Sequence, residues 1–285
     1  RNGPVSSNVR RHKQRAEAQV AMKVEAQNSD LDKLDRYLNS FATQSFRDQA
    51  DRDYITARLA CRHELFPQFL WSAHQAVEKY LKAILLYNRI KATSIGHDLT
   101  AAMALTPRLP FKFEMSERTK RLIEHLAICG EFRYLDVPYH IQGYVLIELD
   151  LAVWDIRRYC QVLYVFGKQL PTYEQAMLDR AISELAQSAS TPRHKFQIQG
   201  GLLEKILKDR KHPSRSALVW QNASYGVRGR STVRARHHLH AQNPNLYLYP
   251  EMLDELLNFV FIPKKLAAGY RAHLQNITKN PNMRP

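Results

Sequence analysis

Apolar residues return at three- and four-residue steps through much of the chain, the spacing of one face of an α-helix. Tyr54, Ala57, Cys61 and Leu65 predict a first helix over Asp51–Leu65. Pro67 suits the start of a second, where a missing N–H costs little, and Phe69, Ala73, Val77, Tyr80, Ile84 and Tyr87 carry its stripe to about Asn88. Gly96 breaks the chain and Asp98 can cap a short third helix that ends at about Leu105, before Pro107 and Pro110. Ser116 and Glu117 open a fourth with Leu122, Leu126 and Cys129 on one face, closed by Gly130 and Pro138. A fifth, Tyr144–Phe166, keeps the period through Val145, Leu149, Ala152, Val153, Ile156, Tyr159, Cys160 and Leu163, and Gly167 and Pro171 stop it. Short links between such helices favour antiparallel neighbours, so the expected fold is all-α: an up-and-down antiparallel helical bundle.

Beyond Pro171 the pattern weakens. Thr172 with Gln175 resembles a capping box for a helix to about Gln187, and Ser188–Gly201 reads as a linker. Further helices are expected at Leu202–Lys211, Pro250–Val260 and Lys264–Asn276, which makes the C-terminal extension basic but mostly helical. The organisation is then a basic, flexible N-terminal arm (1–45), a helical bundle (46–168) and an extension (169–285). Because the apolar stripes end at about Phe166, the bundle is expected to fold without the extension.

Charge changes the picture once it is located. Of the net +15, Arg1–Ala21 carries +4, and Arg193–His240, with eleven basic residues against two acidic, carries +9. The bundle is close to neutral, so an acidic partner should meet the arm or the extension. In the extension Arg228, Arg230, Arg234 and Arg236 are interleaved with Trp220, Tyr225 and glycines. Arginine forks hold phosphates and aromatic rings stack on unpaired bases, so these six residues are the candidate RNA contacts.

Cys61, Cys129 and Cys160 form no CxxC pair and no even set, which predicts buried free thiols in a reducing cytoplasm. No apolar run is long enough for a membrane span, no cofactor motif is present, and His237, His238 and His240 lack acidic or Cys partners at ligand spacing. The expectation is a cytoplasmic protein with no metal, no cofactor and no membrane contact.

Three segments carry a resemblance: Ala50-Asp51-Arg52-Asp53-Tyr54, Gln75-Ala76-Val77-Glu78-Lys79-Tyr80-Leu81-Lys82-Ala83, and Gly96-His97-Asp98-Leu99. In this order they resemble the HEPN family, helical domains named for higher eukaryotes, prokaryotes and nucleotide binding, over about Ala50–Phe166. The resemblance implies a homodimer that binds nucleotide or RNA, in some small relatives beside a nucleotidyltransferase partner. The fifth helix points the same way, since its apolar stripe is longer than one bundle is expected to cover. Gln75, Glu78, Lys79 and Lys82 are the candidate nucleotide-binding strip, although Glu78 and Lys82 also form an ordinary i,i+4 helix pair.

Many members of that family resemble metal-independent RNA endonucleases, some toxin-like, that use an Arg-x(4–6)-His motif. There the arginine holds the phosphate and the histidine moves the proton. Arg133 and His140 fit this spacing between the fourth and fifth helices; Arg58 with His63, and Arg234 with His240, fit it elsewhere. Tyr134 follows Arg133 where active members often carry a polar residue, and Pro138 interrupts, a pattern similar to the branch without an obvious nuclease site. The expectation is a non-catalytic binding module; the alternatives are an endonuclease using Arg133 and His140, and a structural adaptor. His97 and Asp98 are read as local helix capping.

Overall fold

The computed structural model describes residues 33–129, 138–165, 170–226 and 234–280. Helical residues 33–41 pass through a π-helical stretch, Ala42–Arg47, into α1 (Asp48–Arg62). Then come α2 (Phe66–Tyr87), α3 (Leu99–Ala104), α4 (Glu117–Cys129), the strand β1 (Tyr139–Gly143) and α5 (Val145–Arg157). The extension supplies α6 (Thr172–Gln187), α7 (Leu202–Lys208), α8 (Arg215–Val219), β2 (His238–Gln242), α9 (Asn245–Leu248), α10 (Leu253–Leu256) and α11 (Lys264–Lys279).

The all-α expectation holds, with one addition. β1 and β2 pair antiparallel, His140 opposite Ala241 and Ile141 opposite His240, joining segments about a hundred residues apart. Helix α2 runs through the centre, with Phe69, Ala73, Ala76, Val77, Tyr80, Leu81 and Ile84 fully enclosed. Pro67 sits in its first turn, as the sequence indicates. Asp98 caps α3 by accepting from Ala101 N–H at 2.9 Å.

Several expectations need correction. Residues 33–45, assigned to a flexible arm, are helical, and Thr43 Oγ1 meets Tyr87 Oη at 2.6 Å. Helix α5 ends at Arg157, well short of Phe166, which lies outside the described residues. The Cys160 N–H bonds back to Arg157 O at 2.8 Å and turns the chain, yet Tyr159, Cys160 and Leu163 stay buried. Apolar spacing therefore outlasts the helix it seemed to define. Most of α5 is covered within the single chain, so its stripe leaves no broad apolar face for a partner. The helix expected at Pro250–Val260 is a 3₁₀ turn, Pro250–Met252, followed by the short α10.

The bundle is also not independent of the extension. Leu203, Ile206, Ala217, Leu218 and Tyr225 share one apolar cluster with α1 to α5. Two buried ionic networks cross the same seam. Arg157 donates to both Asp51 oxygens (2.7 and 2.9 Å) and both Glu204 oxygens (2.8 Å each), and Tyr80 Oη donates to Asp51 at 2.6 Å. Arg58 pairs with Asp150 and donates to the carbonyl oxygens of Ala217 and Trp220. Gly201 leaves room where α7 meets this network, because a Cβ there would press on the Glu204 carboxylate and come within 2.8 Å of Arg157 Nη2, so that both side chains would have to shift. Leu246, Leu253, Ile262, Ala267 and Tyr270 form a separate cluster. Among the described residues no helix is long and apolar enough to cross a membrane.

Candidate functional site

The strip chosen on α2 closes around one carboxylate. Glu78 is 3% exposed; Lys82 Nζ reaches it at 2.6 Å, His97 Nδ1 at 3.0 Å and Gln75 Nε2 at 3.3 Å. Burial pushes the Glu78 carboxyl up, but Lys82 and His97 outweigh it and hold it below its usual range. Lys82 also donates to Gly96 O at 2.7 Å, so the cluster ties the Gly96–His97 turn to α2. Lys79 turns away and pairs with Asp53. Gln75, Glu78 and Lys82 thus meet at one point, Lys79 stands beside them, and His97 joins them with its side chain 63% exposed, more open than the local capping account implies.

Under this cluster lies His74, 1% exposed, its ring stacked on Trp71 at 6.3 Å and neither nitrogen hydrogen-bonded. Burial lowers its pKa to about 4, and the Glu78 carboxylate opposes the shift. A histidine depressed from its unfolded value stabilises the fold fully above that value and loses this as pH falls towards 4. Unfolding by urea should therefore need about 2–3 kcal/mol less at pH 4.5 than at pH 7 on account of this residue. His74→Leu should flatten that part of the profile; an unchanged profile would rule out His74 as its source.

The second region surrounds the β1·β2 ribbon. His140 is exposed on β1 opposite Ala241, and the basic segment enters β2 at the other end of the ribbon, where His238 pairs with Gly143. Arg234 and Arg236 are exposed just before β2, Arg236 paired with Glu64. Arg133, Arg228 and Arg230 lie outside the described residues. Tyr225 is 6% exposed and packs on Tyr54 at 5.8 Å, so its ring belongs to the core and is closed to base stacking. Trp220 is half-buried beneath the Arg62 guanidinium, 5.0 Å from the ring. Arg58, half of another Arg-x(4–6)-His match, is buried in its network with Asp150. His240, half of the third, sits in β2, its Nε2 3.2 Å from Tyr139 Oη.

His140 also reaches back to α4. Its ring lies 4.8 Å from that of His125, and His125 Nδ1 is 3.9 Å from Cys129 Sγ. Burial lowers the His125 pKa and raises that of the Cys129 thiol. The sequence reading missed this grouping by looking for CxxC pairs; the signal was His-x3-Cys, one turn apart on a helix. All three cysteines are free and buried, as expected, with Cys61 pushed up to about 12 by burial.

A further cleft, about 680 Å³, is lined by Arg36, Arg47, Tyr87, Arg89, Tyr164 and Met177 among others, and by none of the residues selected from sequence. Of the comparisons with known proteins, a family model described as HEPN domain matches residues 43–149. No curated protein and no solved structure matches the chain.

Proposed function

Residues 43–149 are a HEPN domain, and from that premise we propose that the protein is a non-catalytic, homodimeric HEPN-domain module that binds nucleotide or RNA, working beside a nucleotidyltransferase partner. One observation carries the RNA side of this reading: pairing of β2 with β1 joins the basic segment to the HEPN segment and leaves Arg234 and Arg236 exposed just ahead of His238, at the Gly143 end of the ribbon. Those exposed arginines form a surface at one end of the ribbon, with His140 towards the other. Guanidinium forks at that surface suit phosphates, and a sequence without a groove-reading helix motif favours single-stranded RNA over a duplex. The α2 cluster around Glu78 is the proposed nucleotide contact, with Lys79, Lys82, Gln75 and the exposed His97 edge on offer. The partner and the dimer rest on the family resemblance; co-purification and sedimentation test them.

Binding of labelled single-stranded RNA across a salt series tests the reading. Replacing Arg228, Arg230, Arg234 and Arg236 with Ala should weaken binding and reduce the log–log salt slope by about 0.7 for each phosphate no longer held by a guanidinium. Lys264→Ala with Lys265→Ala, exposed on α11, should leave both unchanged. Wild-type affinity and slope in the four-Ala protein would remove the basic segment from the interface and leave the adaptor reading.

A second reading, metal-independent RNA cleavage by Arg133 and His140, is favoured by the exposure of His140 on β1. Its mark is cleavage in EDTA that is lost in Arg133→Ala and in His140→Ala. Such cleavage would overturn the non-catalytic assignment, and intact RNA would overturn the second reading.

A further inference from the structure

His125, Cys129 and His140 place one nitrogen, one sulfur and one nitrogen donor within 4.8 Å of one another. Two come from α4, four residues apart and therefore on one face. The third crosses from β1. A tetrahedral zinc site has Zn–N near 2.0–2.1 Å and Zn–S near 2.3 Å, so its donors stand roughly 3.4–3.8 Å apart. The Cys129–His125 separation of 3.9 Å lies just outside this spacing, and it and the wider spans, up to 4.8 Å, close by about 1 Å or less through side-chain rotation.

We propose that these three residues form a metal site for a borderline-to-soft transition ion, Zn²⁺ foremost. The donor set chooses the class: two imidazoles and a thiolate suit zinc, whereas Mg²⁺ and Ca²⁺ require oxygen ligands that this grouping lacks. Binding exchanges the Cys129 S–H proton, released to solvent, for an S–metal bond, while each imidazole gives a lone pair. Three protein ligands leave a fourth position for water or another donor, as in open zinc sites. The ion fastens the C-terminal end of α4 to β1, and through β1 to the strand that carries the basic segment. This site does not rest on the RNA reading, because it needs neither arginines nor RNA.

The test uses the full chain, stripped of metal and titrated with Co²⁺ and then Zn²⁺. Co²⁺ should bind one equivalent, with ligand-field absorption and a thiolate-to-cobalt charge-transfer band, and Zn²⁺ should displace it. Cys129→Ser should abolish the charge-transfer band. His140→Gln, which alters only an exposed side chain and so spares folding, should weaken Zn²⁺ binding more than about 100-fold, since even an outer-shell change costs 10–100-fold. A chain that takes up no Co²⁺, a charge-transfer band that survives Cys129→Ser, or unchanged Zn²⁺ affinity in His140→Gln would each overturn the site.

Discussion

Arg157→Ala should lower the free energy of unfolding by about 3–5 kcal/mol, a large part of the 5–15 kcal/mol that holds a typical domain. The guanidinium is 1% exposed and makes four charged hydrogen bonds, two to Asp51 and two to Glu204. Truncation leaves both carboxylates facing each other in a region water does not reach. The cost is then the desolvation of unpaired charge rather than the value of the pair itself. Arg157→Lys should recover only part, because one ammonium cannot reproduce a fork that serves two carboxylates. Changing all three members, with Arg157→Met, Asp51→Asn and Glu204→Gln, should cost less than Arg157→Ala alone, since no buried charge is then left over. Urea unfolding at pH 7 measures each variant. A loss below about 1 kcal/mol for Arg157→Ala would show the seam to be wetter than its geometry indicates.

How much of this was legible in the sequence follows from the range of each interaction. Helix α2, its Pro67 start and the Asp98 cap were readable because periodicity and capping act over a few residues. The end of α5 was not, since Tyr159, Cys160 and Leu163 keep helical spacing while packing from a turn. The ribbon escaped notice for a different reason. His238–Gln242 reads HLHAQ, with too little alternation to announce a strand, and its partner lies about a hundred residues away. Tyr225 was assigned to RNA because it neighbours arginines in the chain; in space its neighbours are Tyr54 and the buried Arg157, whose guanidinium lies 5.8 Å from the ring. Of the α2 strip, spacing gave the Glu78–Lys82 pair, and only the fold brings His97 to the same carboxylate.

The same long-range packing reverses the expectation that the bundle stands without its extension. Deleting residues 193–240 should abolish the cooperative unfolding transition. The deletion removes Leu203, Ile206, Leu218 and Tyr225, each nearly or fully enclosed in the shared cluster. At about 1.5–3 kcal/mol for each large apolar side chain, their burial contributes on the order of 6–12 kcal/mol, comparable to the whole stability of a domain. It also takes Glu204 from Arg157, and the Ala217 and Trp220 carbonyl oxygens from Arg58, which leaves buried guanidinium N–H groups without acceptors. The product should retain much of its far-UV helical signal, lose near-UV structure and bind a hydrophobic dye, the behaviour of a chain that has collapsed without specific packing. Ending the chain after residue 243 provides the contrast. That truncation removes Leu246, Leu253, Ile262, Ala267 and Tyr270, which pack on one another in their own cluster, and the main transition should stay within a few degrees of the full-length protein. Thermal melts followed by circular dichroism read both chains side by side. A 193–240 deletion that melts cooperatively at the full-length temperature would mean that the bundle closes its own core and that the packing across the seam is incidental.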